Sequence, residues 1–250
     1  QQKSAKVHIK VDTGMGRLGL LPKDFGNLVE LVRGLPGLEI HGVFTHFAQA
    51  DQEDLIYTRW QWERFQAVRD DLRARGISIP YVHAANTAAT LFFPESHLDL
   101  VRVGLGIYGM YPDARRPLHL KPALSLKTKV AFVKRVPAGS AVSYDSTYVT
   151  EKETSLAVLP IGYADGLSRG LSNRGQVLIK GTLCPMVGNI TMDHTLVDVG
   201  DLPASIGDEV ILLGTDGTHE IHAHHWAKIL GTINYEITSM LSSRIERVYR

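Results

Sequence analysis

The sequence predicts an α/β segment built on parallel strands, followed by a mostly-β segment. Three observations carry this. Between residues 7 and 103, short strand patterns alternate with helical ones, an order that implies a parallel sheet joined by crossovers. In each repeat the unusual polar residues sit at or just past a strand's end: Lys10, Arg17, His46, His83, Thr87 and Arg102. Near residues 112–122, rich in Pro and Arg, the pattern changes, and the remainder of the chain reads as strands separated by turns. Polar residues gathered at strand ends form the chemical rim of a barrel, but a closed barrel needs eight strands and about four are legible. A small open sheet and half a barrel both fit. The boundary is set at residue 118, giving segments 1–118 and 119–250.

Val7, Ile9 and Val11 alternate with His8 and Lys10, a strand signature that puts Lys10 on the face opposite the apolar residues. Residues 12–17 form a loop with two glycines. A helix begins near Pro22, tolerated in a first turn, and stops at Gly34. Residues 40–44 read as the next strand, ending at Thr45 and His46. Asp51, with Asp54 behind it, is the expected N-cap of a helix running to Gly76. That helix buries Leu55, Trp62, Phe65, Val68 and Leu72 at helical spacing. Residues 81–84 form a third strand, and Asn86 caps a helix starting at Thr87. Residues 98–103 form a fourth strand. In the second segment, strands are expected at 124–136, 155–160, 176–179, 191–199 and 209–213, with a short helix at 223–230 ending at Gly231.

The first segment centres on residues 101–109. They predict a short buried strand carrying Arg102, then a turn punctuated by Gly104, Gly106 and Gly109. A buried arginine needs a carboxylate or a planar acceptor. Glycines leave backbone N–H groups open to an anion. Cation and cradle together suit a flat heterocycle with a phosphate tail; the alternative is an arginine paired with a structural acid.

Composition sets limits. The 250 residues are 44% hydrophobic and 21% charged, enough for one large globular domain or two small ones. Lys+Arg 27 against Asp+Glu 26 leaves no field to attract nucleic acid or an anionic membrane. No apolar run approaches the roughly 20 residues of a membrane span. Cys184 is the single cysteine, so no internal disulfide forms. The sequence starts Gln1-Gln2-Lys3-Ser4-Ala5, without a signal-peptide pattern or an initiating methionine. His219, His222, His224 and His225 cluster, but no familiar ligand pattern surrounds them and no metal is assigned. Tyr144 lies at a strand end, where a tyrosine is an acid/base group only if its environment lowers its pKa; Tyr163, in a turn with two glycines, and Tyr235 fit core aromatics with a wet tip.

Taken together, these stretches resemble the alanine racemase family. The matching motifs are Lys10-Val11-Asp12-Thr13-Gly14-Met15-Gly16-Arg17, His46-Phe47-Ala48, His83-Ala84-Ala85-Asn86-Thr87, Arg102-Val103-Gly104, Ser143-Tyr144, Ile161-Gly162-Tyr163-Ala164-Asp165-Gly166, Gly188-Asn189-Ile190-Thr191-Met192-Asp193 and Asn234-Tyr235-Glu236. They occur in the family's order to the C-terminus. The resemblance implies part of a (β/α)8 TIM-like barrel followed by a mostly-β C-terminal domain. It implies pyridoxal 5'-phosphate as cofactor and a homodimer whose subunits share each active site. The implied reaction interconverts L- and D-alanine, supplying D-alanine for peptidoglycan in the cytoplasm.

By the same resemblance, Arg102 faces the pyridine nitrogen and His83 supports it. Gly104 and Leu105, with Thr87 and Tyr235, hold the phosphate. Lys10, as the family's carbamylated lysine, holds Arg17; Arg17 and the Met192 backbone take the substrate carboxylate. Tyr144, from the partner subunit, is a catalytic base tuned by His46. Tyr163, Arg169 and Asp51 line the entryway. Arg102 cannot accept the proton a carboxylate would share with the ring, so the deprotonated substrate is less stabilised and side reactions are limited. An acid there would instead mark the related decarboxylases. The family's other base, the lysine that binds the cofactor covalently, has no counterpart here. These residues are therefore read as the C-terminal portion of a longer or cleaved chain lacking the N-terminal half-barrel. Further departures are Thr87 where serine is common, Asp145 where glycine is common, and Asn189 in place of an entryway arginine. Competing readings are a non-catalytic fragment or interaction module, and a broader amino-acid racemase of the same fold, some of which are exported.

Overall fold

The computed structural model describes residues 3–113 and 115–249; Ala114, inside the expected linker, lies outside them. The chain forms two compact units, residues 1–121 and 122–250.

The first unit runs β1 (Ala5–Lys10), α1 (Pro22–Arg33), β2 (Leu38–Phe44), α2 (Ile56–Ala74), β3 (Tyr81–His83) and α3 (Thr87–Phe92). The sheet is parallel in the order β1-β2-β3, as crossover helices require. Ile9 and Val43 are paired and buried, together with Val11, and form a core with Phe25 and Val29 of α1 and Phe65, Val68 and Leu72 of α2. Full burial of each such side chain is worth roughly 1.5–3 kcal/mol. The other face carries Lys10, Phe44 and His83 side by side across the three strands. The Phe44 and His83 rings stack at 4.9 Å and 4°. Gly42 lets His8 join them, because a Cβ there would fall on the His8 imidazole.

Two expectations in this unit are corrected. The segment 98–103 is not a strand: it makes one parallel bridge, His83 to Leu100. The Val82 N–H is taken by the Asp99 carboxylate at 2.8 Å, and Leu98 has φ 49°, so the ladder does not propagate. Val101 is 37% exposed rather than buried. Asp51 is not an N-cap either. Arg115 Nη2 donates to the Asp51 and Gln52 carbonyls at 2.8 and 3.2 Å, holding that turn, and α2 begins after Leu55. Asp54 accepts the Ile56 N–H at 2.8 Å. At α3 the expected cap is present: Asn86 Oδ1 accepts from Ala89 N at 2.9 Å.

The second unit contains β4 (Leu126–Lys129), β5 (Phe132–Val136), β6 (Ala141–Val142), β7 (Tyr148–Val149), β8 (Thr154–Leu159), β9 (Gln176–Ile179), β10 (Thr182–Pro185), β11 (Thr195–Gly200), β12 (Glu209–Asp216), β13 (His219–Ile221), α4 (Ala223–Leu230) and α5 (Asn234–Ser239). One sheet runs β10-β9-β12-β13 with β4 on β12, another β11-β8-β5, and β6 pairs with β7. The single strand expected at 124–136 is broken. Val130 N bonds to Asp208 O and Ala131 N to Val158 O, so the chain changes sheets there. Residues 191–194 form a turn rather than the start of a strand, closed by Thr191 N to His194 O at 2.9 Å. β6, β7, β10, β13 and α5 were not legible, being two to six residues long. In the histidine cluster, the His222 N–H donates to His225 Nδ1 at 2.8 Å, and His222 pairs with Glu220 at 2.9 Å. Among the described residues no helix is long and apolar enough to cross a membrane.

Candidate active site

The strand ends of the first unit converge on Arg102. Its Nη1 donates to His83 Nδ1 at 2.6 Å. Its Nη2 reaches the carbonyls of Thr45 and Ala84 at 2.7 and 3.1 Å, and His46 Nδ1 at 3.2 Å. The guanidinium also lies over the Phe44 ring, 5.2 Å from its centroid. Every partner is neutral or nearly so. Burial, then the adjacent Arg102 charge, pushes both His46 and His83 down to about 4, so both are uncharged imidazoles at neutral pH. No carboxylate meets Arg102 among the described residues. Its Nε hydrogen and one on Nη1 have no acceptor there. This corrects the alternative of an arginine paired with a structural acid. The arrangement is a half-buried cation with two donors to spare.

Beside it, Thr87 at the first turn of α3 accepts from Gly104 N and Gly106 N at 3.1 and 3.4 Å. These N–H groups, expected to be bare, are engaged by Thr87. The Leu105 N–H has no partner among the described residues, and the Thr87 hydroxyl proton remains to be donated. A Cβ on Gly104 would meet nothing within 4 Å, so the cradle is open.

A second group forms on the loop after β1. Asp12 accepts the N–H groups of Gly14, Met15 and Gly16 at 2.9–3.1 Å. Burial pushes its carboxyl up, but these bonds outweigh that and hold it below the usual range. They fix the turn that carries exposed Arg17. Lys10 is lowered by burial and then by Arg17. Asp51 sits on its turn with its carbonyl engaged by Arg115.

Sequence reasoning missed two residues here. Gln61 is fully buried on α2; it donates to His46 O at 3.1 Å and accepts from Ala48 N at 2.8 Å. It also donates to Thr13 Oγ1 at 3.4 Å. The available signal was a polar residue on the apolar stripe of Phe65, Val68 and Leu72. His8 Nδ1 lies 2.7 Å from His83 Nε2; nothing in its strand pattern marks it.

In the second unit, Tyr144, Tyr163, Arg169, Asn189, Met192 and Asp193 line a cavity of about 550 Å³. Tyr144 is 72% exposed. Tyr163 N and Ala164 N bond to Thr191 O and Met192 O, each at 3.0 Å, while the Met192 N–H has no partner among the described residues. Arg169 lies 3.8 Å from Asp145. Tyr235 is the second residue of α5 and is exposed. Among the described residues no group of His, Cys, Asp and Glu side chains is arranged to hold a metal ion.

The fold and the donor set define an α/β-plus-β protein with a half-buried guanidinium beside an open backbone cradle. Residues 1–112 match the family described as alanine racemase, N-terminal domain, and residues 123–249 match alanine racemase, C-terminal domain. An alanine racemase of Carboxydothermus hydrogenoformans is 49% identical over 99% of this chain and 68% of its own length. One of Clostridium perfringens is 48% identical over 99% and 66%. The structure of alanine racemase from D-cycloserine-producing Streptomyces lavendulae superposes with a TM-score of 0.93 at 41% identity, covering 99% of this chain and 67% of that one. The Bacillus anthracis enzyme with bound L-Ala-P gives 0.88 at 39%, covering 97% and 64%. The chain belongs to the alanine racemase family and shares the fold of these structures, βα units of the barrel type followed by a mostly-β domain. It spans about two thirds of the length of these relatives.

Proposed function

We propose that this chain is part of an enzyme that interconverts L- and D-alanine with pyridoxal 5'-phosphate as cofactor, the reaction also needing the family's cofactor-binding lysine, which these 250 residues do not contain. The observation that carries the reading is Arg102: a guanidinium with no carboxylate beside it, steadied by two neutral imidazoles, and with donors to spare. That donor set fits an aromatic nitrogen that accepts a hydrogen bond. The Leu105 N–H and the Thr87 hydroxyl, with Gly104 open beside them, fit a phosphate.

When bound, the cofactor acts as the electron sink that makes the α-proton of an amino acid removable. The chain's own residues then divide the work. Arg102 holds the ring nitrogen without giving up a proton, since a guanidinium does not deprotonate in proteins. Thr87, Gly104, Leu105 and Tyr235 hold the phosphate. Arg17 and the Met192 N–H take the substrate carboxylate. The lowered Lys10 amine suits carbamylation, which would give Arg17 an anionic partner. Tyr144 exchanges a proton with one face of the α-carbon, with His46 as its orienting group. Tyr163, Arg169 and Asp51 line the approach. In a homodimer, the exposed Tyr144 of one subunit serves the Arg102 pocket of the other. The reading places the enzyme in the cytoplasm, supplying D-alanine for the cell wall.

The test has two arms. Pyridoxal phosphate titrated into the full chain should bind with a shifted 31P resonance, and Leu105→Pro, which removes one N–H, should weaken binding. In the enzyme that also carries the family's lysine-bearing segment, Arg102→Glu should slow D-alanine formation and raise transamination, because a carboxylate favours a protonated ring nitrogen. An Arg102→Glu variant with wild-type racemisation and no added transamination overturns the reading.

A further inference from the structure

Tyr144 sits on the most strained turn among the described residues. Ser143, Asp145 and Ser146 have φ of 62°, 61° and 49°, the left-handed region that costs any residue with a Cβ. Such strain persists only where neighbouring groups over-determine the backbone. The ring cannot supply that order, since Tyr144 is 72% exposed and its phenol makes no hydrogen bond among the described residues. Its aim is set by the turn.

What holds the turn is Asn189, itself 8% exposed. Its Nδ2 donates to the Tyr144 carbonyl at 3.0 Å and to Asp145 Oδ2 at 3.2 Å. Its own carbonyl accepts from Ser143 Oγ at 2.6 Å. One residue therefore ties three consecutive turn residues. Both side-chain contacts are acceptors, so the position calls for an N–H donor, which the amide supplies. Gly188 permits the approach: with φ 73°, a Cβ there would come within 2.7 Å of Val142 O. Asn173 secures the far end, donating to Thr147 Oγ1 at 3.0 Å and accepting the Gly188 N–H at 2.6 Å.

We propose that Asn189 is a positioning residue for Tyr144, and that its amide and the Asp145 carboxylate form a clamp that holds the strained turn in place. This rests on the reading of Tyr144 as a base. It also gives the two departures, Asp145 and Asn189, a joint explanation. A non-glycine residue at position 145 is strained at φ 61°, and the Asn189 amide offsets that strain by bonding its side chain.

The test compares Asn189→Ala, Asn189→Asp, Asp145→Gly and the Asn189→Ala/Asp145→Gly double variant in the enzyme that also carries the family's lysine-bearing segment. Loosening the clamp should lower kcat about tenfold with KM nearly unchanged, the scale of a small misplacement of a reacting group. Amide hydrogen exchange at residues 143–147 should speed up. The isotope effect from α-deuterated alanine should rise for one enantiomer only, the one whose proton Tyr144 removes. Asn189→Asp should be worse than Ala, since it sets two carboxylates together. Asp145→Gly should restore kcat and exchange protection in the Asn189→Ala background, because glycine adopts a positive φ without help. Asn189→Ala with wild-type kcat and exchange rates, or no rescue by Asp145→Gly, overturns the proposal. If Asn189→Ala does not fold, Ser143→Ala tests the same clamp through its third bond. Tyr144→Phe at full activity would sink the base reading separately, while exchange still reports whether Asn189 holds the turn.

Discussion

Arg102 and His83 fix each other's chemistry. Across their 2.6 Å contact the guanidinium can only donate, so His83 Nδ1 is the acceptor and the ring proton of the neutral imidazole is on Nε2. That proton points at His8 Nδ1, 2.7 Å away, which must accept. The relay His8–His83–Arg102 therefore has one consistent assignment, with both imidazoles neutral and protonated at Nε2.

Nitrogen-15 shifts of His83, assigned by comparison with a His83→Asn variant, should show the Nε2–H tautomer. Replacing His8 by Ala removes the acceptor and should shift the His83 signals, whereas His8→Asn, which retains an acceptor, should shift them less. A His83 resonance typical of the Nδ1–H form would contradict the assignment and the Arg102 geometry with it.

Stability should fall in weak acid. His83 and His46 are both pushed from 6.5 down to about 4, first by burial and next by Arg102. Between those values the unfolded chain binds protons that the folded chain refuses, so stability falls as pH drops. The histidine contribution is intact above about pH 6.5, is lost progressively towards pH 4, and changes little below that. For His83, 4% exposed, the loss is up to roughly 3 kcal/mol. Urea midpoints of wild type and His83→Asn at pH 7, 5.5 and 4 measure it. Parallel acid slopes for the two proteins would show that His83 does not carry the effect.

Much of this was legible because it is periodic or chemically typed. Val7, Ile9 and Val11 announce a strand, Pro22 and Gly34 bracket α1, and Asn86 caps α3. Arg102 in an apolar stretch announces a site. What escaped depends on single contacts between distant residues. Asp99 takes a ladder N–H with its side chain, so residues 98–103 read as a strand and are not one. Val130 and Ala131 bond to different sheets, a switch no local pattern records. His8, Gln61 and Asn189 act through partners 75, 15 and 45 residues away, and such pairings exist only once the chain has folded.

Gln61 offers a sharper case. Its amide satisfies His46 O and Ala48 N, and Thr45 O beside them accepts from Arg102. Gln61→Leu conserves much of the volume but removes the partner of the half-buried His46 carbonyl and of the Ala48 N–H, which should cost about 1–2 kcal/mol. Because those groups shape the Arg102 pocket, kcat/KM should fall in the protein that remains folded. Denaturation curves with parallel kinetics check both. Wild-type stability in Gln61→Leu would show that water or backbone shifts replace the amide.

The proposed homodimer makes a quantitative prediction. If Tyr144 of one subunit completes the Arg102 pocket of the other, each site takes one group from each chain. In the enzyme that also carries the family's lysine-bearing segment, Tyr144→Phe and Arg102→Glu proteins should each have low activity alone. In a mixed dimer one site holds both lesions and the other holds neither, so each mixed dimer regains half of wild-type activity. Random mixing makes about half of all dimers mixed, so the total should approach a quarter of wild type. Mild denaturation and refolding would drive subunit exchange, and native mass spectrometry would count the mixed dimers. If mixed dimers form and no activity returns, Tyr144 serves its own chain or takes no part in the reaction. If activity returns in proportion to their number, the site is shared.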